Sequence, residues 1–173
     1  EDIRTCIACC HCLDEIFSNR PLVCSVNAQA GREAEYAIKP APRAKTVVVV
    51  GSGPAGLEAA RVAALRRHKV TIMEQGEKLG GNLLVAAIPP YKQEIASLTT
   101  YLTGQVKELG IPVKLRTPAT AAAVLALKPQ AVIVATGSSP LVPGIPGGGA
   151  KHVVTAVDVI TGKATPRQRV VIV

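Results

Sequence analysis

The stretch from Lys45 to Glu74 constrains the fold of this chain more than any other. It opens on four successive valines, Val47 to Val50. A short run that is apolar at every position predicts a parallel strand buried on both faces. Gly51, Gly53 and Gly56 follow at G-x-G-x-x-G spacing and lead into an alanine-rich segment of helical character. A second short strand, Lys69 to Met73, ends on the acid Glu74. Strand, glycine turn, helix, strand and acid in this order predict a dinucleotide site. Each part has its own job. Gly51 permits the tight turn out of the strand, and Gly53 lets backbone approach a pyrophosphate at the positive end of the helix. Gly56 lets that helix pack close to the sheet, and Glu74 is placed to accept hydrogen bonds from a ribose. The plain alternative is a strand–turn–helix whose glycines serve packing alone. A phosphate-cradling NTPase loop does not fit, because Gly56 is followed by Leu57 and Glu58 rather than by Lys and Ser or Thr. Ser52 lacks the elbow pattern of a nucleophile.

Residues 1–39 are unlike the rest. Cys6, Cys9, Cys10 and Cys12 crowd together and Cys24 stands apart. Cys6, Cys9, Cys12 and Cys24 give C-x2-C-x2-C-x11-C spacing, in which close thiolates wrap one face of an iron–sulfur cube and a distant fourth closes it. Four thiolates also suit a structural zinc site, which His11 can join. A disulfide framework is the third reading. The count of five cysteines is odd, and a nucleotide-type neighbour points to a reducing, cytoplasmic setting. Cys10 is left as a spare thiol.

At 173 residues and 48% hydrophobic, the chain can bury a real core as one moderate domain or two small ones. Its longest apolar runs are too short to cross a bilayer, so no membrane partner is expected. The net charge of +8 raises the question of nucleic acid, but aromatics are only 2% and the basic residues are scattered. Stacking platforms for single strands are therefore nearly absent, and no nucleic-acid partner is expected.

Residues 27–45, with Pro40 and Pro42, read as a connector. After Glu74, the pair Gly80 and Gly81 invites a backbone approach to a ligand, with Asn82 beside it to donate and accept hydrogen bonds. Ile95, Leu98, Leu102, Val106 and Leu109 line one face of the clearest helix, with Gly110 placed as its cap and Pro112 beyond. Tyr91 and Tyr101 read as packing or surface residues. A short strand is expected over 113–116, a short helix over 121–127 and an apolar strand over 130–135, running into Thr136 and Gly137. Residues 138–149 read as a crossover, and 153–160 as an apolar segment of undefined type. Residues 169–173 read as the start of another buried strand. A strand needs a following element, so the chain reads as a piece of a longer protein. No general acid, base or nucleophile stands out, and no catalytic residue is assigned.

Several motifs together carry a resemblance. They are Cys6-Ile-Ala-Cys9, Cys12-Leu-Asp, Cys24-Ser-Val-Asn, Gly31-Arg-Glu33, Val-Val-Gly51-Ser-Gly-Pro-Ala-Gly-Leu-Glu-Ala-Ala-Arg61, Leu79-Gly-Gly-Asn-Leu-Leu84, Pro89-Pro-Tyr-Lys-Gln-Glu94 and Val134-Ala-Thr-Gly137. The chain resembles the C-terminal part of the large NADH:flavin oxidoreductases of the old yellow enzyme class, the family of 2,4-dienoyl-CoA reductase, 2-enoate reductase and trimethylamine dehydrogenase. The resemblance implies an N-terminal barrel carrying FMN and a small-molecule substrate, then a 4Fe–4S cluster. An FAD- or ADP-binding domain follows, with an NAD(P)H-binding domain inserted in it. It implies that Cys6, Cys9, Cys12 and Cys24 hold the cluster. Gly51, Gly53, Pro54, Ala55 and Gly56 would line the pyrophosphate, and Glu74 would bind the ribose. Gly81, Asn82 and Lys92 would face the FAD, Ala119 the adenine, and Ala135, Thr136 and Gly137 the cofactor's edge. Many members have three residues between the second and third cysteines. The two found here are similar to the amine dehydrogenase branch.

The fold expected is α/β, a Rossmann-like three-layer FAD/NAD(P)-binding domain with a parallel sheet, preceded by a cysteine-rich cluster-binding segment. Its boundaries are 1–44 for the cluster segment and connector, 45–145 for the FAD or ADP domain, and 146–173 for a crossover and the first strand of an NAD(P)H domain. The function implied is electron transfer between FAD/NAD(P)H and a barrel-bound FMN, in a parent enzyme that reduces an enoate- or dienoyl-type double bond. The alternatives are an ADP-binding structural module of an amine dehydrogenase-type enzyme and a zinc-stabilised nucleotide-binding module.

Overall fold

The computed structural model describes residues 3–173; Glu1 and Asp2, the first positions of the expected cluster segment, lie outside the described residues. A parallel sheet of β1 (Thr46–Val50), β2 (Lys69–Met73), β3 (Val113–Lys114) and β4 (Ala131–Val134) runs in the order β3-β2-β1-β4. Register pairs Val48 with Thr71 on one side and with Val132 on the other. Alternation along β1 sends its valines to two cores. Val47 and Val49 join Val70 and Ile72 against Leu57 and Ala60 of α2 (Pro54–Leu65) and Leu98, Leu102 and Val106 of α4 (Gln93–Glu108). Val48 joins Met73 and, from α5 (Ala121–Leu125), Val124 on the opposite face. Helices thus cover both faces of a parallel sheet, which is the three-layer α/β fold expected. Each large side chain fully buried here, such as Leu57 or Ile72, contributes about 1.5–3 kcal/mol.

The end of α4 is built as its sequence implies. Gly110 takes φ +62 and donates its N–H to the Lys107 carbonyl, while Ile111 donates to the Val106 carbonyl. That pair of bonds closes the helix, and the buried Val106 and Ile111 join the same core.

Three expectations shift. The third strand is confined to two residues, because Arg116 turns to φ +51 and leaves the extended region. The undefined segment at 153–160 contains a short helix, α6 (Ala156–Ile160). Thr155 caps it, its hydroxyl accepting from the Asp158 N–H at 3.1 Å. Residues 169–173, expected as a strand, make no ladder among the described residues, and Val171, Ile172 and Val173 are 87%, 93% and 90% exposed. An apolar run becomes a strand only when a neighbour takes its backbone hydrogen bonds. Among the described residues, no helix is long and apolar enough to cross a membrane.

Candidate dinucleotide crevice and cysteine segment

β2 and β4 flank β1 on opposite sides, and the crossover helices that lead to them, α2 and α5, pack on opposite faces, which opens a crevice at the carboxyl ends of β1 and β4. Gly51, Glu74 and Ala135 stand at the carboxyl ends of β1, β2 and β4. Gly51 has φ +96, and a Cβ on it would lie 2.3 Å from the Ala135 carbonyl oxygen. On Gly56 a Cβ would lie 2.0 Å from the Gly51 carbonyl oxygen. These two glycines are closed against backbone. Gly53 is different: a Cβ there would meet nothing within 4 Å. Gly53 is also the N-cap of α2, with Pro54 at the first helical position and no side-chain cap. Backbone donors at that end are left for an anion, and the helix dipole favours negative charge there.

The second glycine pair serves the first loop. Gly80 donates its N–H to the Ser52 carbonyl at 2.9 Å, and a Cβ on Gly81 would lie 2.9 Å from the Gly53 Cα. Expected to approach a ligand, Gly81 first of all approaches Gly53. The short helix α3 (Asn82–Ala86) starts here, with Asn82 exposed. Lys92 stands exposed at the N-cap of α4. Ala119 packs half-buried on the Val48–Met73–Val124 cluster. Pro54, Ala55, Thr136 and Gly137 are exposed.

The carboxylate of Glu74 is already oriented. Its Oε2 accepts from both the backbone N–H and the hydroxyl of Ser52, and its Oε1 accepts from the Gly76 N–H at 2.6 Å. Ser52, dismissed above as a nucleophile, is 1% exposed and acts as the brace of this acid. Burial pushes the Glu74 carboxyl up. The Ser52 hydroxyl and the backbone N–H groups of Gly76, Ser52 and Gln75 outweigh that and hold it below its ordinary value. Such a group adds stability above the unfolded carboxylate pKa, and that stability is lost as pH falls through its lower folded value. Glu74→Gln is therefore expected to be less stable than the parent at pH 7. Urea melts should show the gap shrinking below about pH 4. A gap independent of pH would count against this account.

The five cysteines are free thiols. Cys9 Sγ donates to Ser25 Oγ at 3.3 Å, and His11 Nδ1 lies 3.2 Å from the same oxygen. Once the thiol ionises, the Ser25 hydroxyl can donate to it; that bond, followed by backbone bonding at His11, holds the Cys9 thiol below its ordinary value. Cys6 and Cys24 line one cavity of about 430 Å³. Cys10, at φ 57, caps α1 (His11–Phe17), the helix that carries Cys12. Ligand geometry is not closed: among the described residues, no three His, Cys, Asp or Glu side chains are placed to hold a metal ion.

Sequence reasoning missed what seats this segment on the domain. Arg4 donates to the Val26 carbonyl and, at 3.1 Å, to the Tyr101 hydroxyl of α4, with its guanidinium 4.9 Å from the Tyr101 ring centre. It also lies 3.6 Å from the carboxylate of Glu58 on α2. Glu58 in turn accepts two hydrogen bonds from Arg61, both at 2.8 Å. Burial pushes the Glu58 carboxyl up, but Arg61 and then Arg4 outweigh it and hold it below its ordinary value. The spacing of Glu58 and Arg61 on one helix was a readable signal. The contact between Arg4 and Tyr101 was not.

Fold and crevice define a dinucleotide-binding α/β domain. A family model described as pyridine nucleotide-disulphide oxidoreductase matches residues 45–173. The metal reductase of Desulforamulus reducens is 43% identical, over 100% of this chain and 27% of that protein. The bilirubin reductase of Mediterraneibacter gnavus is 41% identical, over 99% of this chain and 27% of that protein. A solved 2-naphthoyl-CoA reductase in complex with 2-naphthoyl-CoA superposes with a TM-score of 0.90 at 40% identity, over 95% of this chain and 25% of that one. Residues 45–173 form a domain of the pyridine nucleotide-disulphide oxidoreductase family, and the chain belongs to the old yellow enzyme/2,4-dienoyl-CoA reductase family, as the resemblance implied. It spans about a quarter of the length of these relatives.

Proposed function

We propose that this chain is the electron-transfer portion of an iron–sulfur flavoprotein oxidoreductase. It would pass electrons between FAD and NAD(P)H on one side and a barrel-bound FMN on the other, in a parent that reduces a C=C bond of a small-molecule substrate. The observation that carries the reading is a shared helix. The segment bearing Cys6, Cys9, Cys12 and Cys24 is fastened to α2, and the uncapped N-terminus of α2 forms the dinucleotide crevice. The crevice fits a pyrophosphate, because the space beside Gly53 is open and the helix end is uncapped. Gly51 and Gly56 hold the loop, Glu74 takes the ribose, and Gly81, Asn82, Lys92, Ala119 and residues 135–137 border the cofactor. The donor set fits an iron–sulfur cluster in its chemistry: four free thiols, one of them biased towards thiolate. When bound, the cluster supplies one-electron transfer, which complements a flavin's ability to divide a hydride's two electrons.

Anaerobic purification of the full-length protein, followed by iron and acid-labile sulfide analysis and a visible spectrum before and after dithionite, tests this reading. Iron and sulfide in near-equal amounts, a brown shoulder that bleaches, and flavin bands are the expected result. Zinc without sulfide would overturn it in favour of a structural nucleotide-binding module.

A further inference from the structure

The cavity lined by Cys6 and Cys24 has a second wall. Arg4, Arg61 and Tyr101 form it together with Val26, and among the described residues the lining carries two guanidinium groups and no carboxylate. The side chains of Arg4 and Arg61 are only 15% and 9% exposed. Long cations held that far from water need a compensating arrangement. Glu58 supplies part of it from behind, bridging both guanidiniums at 3.6 and 2.8 Å. Arg4 also binds the Val26 carbonyl, two residues beyond Cys24. One side chain thereby ties together the strand of chain before Cys6, the turn after Cys24, α2 and α4.

We propose that Arg4 and Arg61 are positioning residues for the sulfur ligands: bridged by Glu58, they seat the cysteine segment on α2 and α4 and hold positive charge against Cys6 and Cys24. The charge part rests on the iron–sulfur reading above; the seating part does not. Thiolates and the iron they bind carry net negative charge, which increases on reduction, so a cationic wall stabilises the reduced form and raises the potential. The two guanidiniums are themselves largely buried, so their charge is screened less than that of a surface cation.

The test uses the full-length protein with Arg4→Met and Arg4→Lys. Iron and sulfide content, amide exchange across residues 3–26 and a dithionite titration of the potential are measured on each. Arg4→Met is expected to exchange about tenfold faster across that segment, the factor for losing partly buried hydrogen bonds. Its potential is expected to move to a more negative value. Arg4→Lys keeps the charge and loses the fork, so it should exchange faster while its potential stays near the parental one. Iron lost from Arg4→Met and kept in Arg4→Lys also supports the charge role, because the two side chains are similar in length. Unchanged exchange in both variants overturns the seating. An unchanged potential in iron-replete Arg4→Met overturns the charge role. A parental protein without iron and sulfide overturns the underlying reading instead, and the exchange data then decide the seating alone.

Discussion

Gly51→Ala and Gly56→Ala are each expected to cost the fold about 3 kcal/mol or more, while Gly53→Ala folds normally and loses the dinucleotide. The three positions look equivalent in the motif and are physically different. At Gly51 the new methyl meets the Ala135 carbonyl oxygen at 2.3 Å in a backbone of φ +96, so sterics and conformation both oppose it. At Gly56 it meets the Gly51 carbonyl oxygen at 2.0 Å. Both obstacles are backbone atoms at the carboxyl ends of β1 and β4, and neither can swing away as a side chain does. Against a total stability of about 5–15 kcal/mol, either change leaves a poorly populated native state. Gly53 has φ −66 and open space around its missing methyl, and Ala at an N-cap costs at most about 1 kcal/mol relative to Gly. The methyl would occupy the approach of the pyrophosphate, with an expected affinity loss on the order of 100-fold, or ~2.7 kcal/mol. Chemical denaturation and FAD or ADP titration of the three variants give the test. A stable Gly56→Ala would refute the packing account, and parental binding in Gly53→Ala would refute the site.

What was legible in the sequence was whatever is encoded locally. The four valines announce a strand buried on both faces, and Val47 and Val49 do face one core while Val48 faces the other. The stripe from Leu98 to Val106 and the Gly110 cap are short-range patterns read at helical spacing. Long-range chemistry was illegible. Nothing in Ser52 says that it braces Glu74 from 22 positions away, and nothing in Arg4 says that it meets Tyr101 across 97. The strand expected at 169–173 failed for the complementary reason: apolar, β-branched residues there reproduce the local pattern of β1 without a neighbour to bond. Cysteine spacing lies between these cases. It identifies a donor set, while the arrangement of the sulfurs depends on a loop whose shape the spacing does not specify.

That distinction sharpens the choice between adjacent thiols. If the proposed electron-transfer route holds, Cys9→Ser in the full-length protein is expected to reduce NAD(P)H-driven reduction of the proposed barrel FMN to below about 1% of the parental rate, whereas Cys10→Ser is expected to leave it within about twofold. Cys9 points to Ser25, next to Cys24 in the chain, and its thiol is biased towards the thiolate that iron requires. Cys10 occupies a left-handed position at the start of α1 and turns its sulfur towards the Ala8 carbonyl oxygen at 3.7 Å, away from that pairing. A serine oxygen in place of Cys9 is a harder, protonated and far weaker ligand for iron–sulfur centres, so the group is expected to be lost rather than merely altered. Reduction of the FAD by NAD(P)H should survive in Cys9→Ser, because the crevice at Gly53 and Glu74 is built from a different part of the chain. Loss of that half-reaction as well would mean a general folding defect, which circular dichroism would reveal. Rapid FMN reduction in Cys9→Ser would sink the electron-transfer role. The opposite pattern, with Cys10→Ser inactive, would instead move the ligand set by one residue and require the αL turn at Cys10 to open.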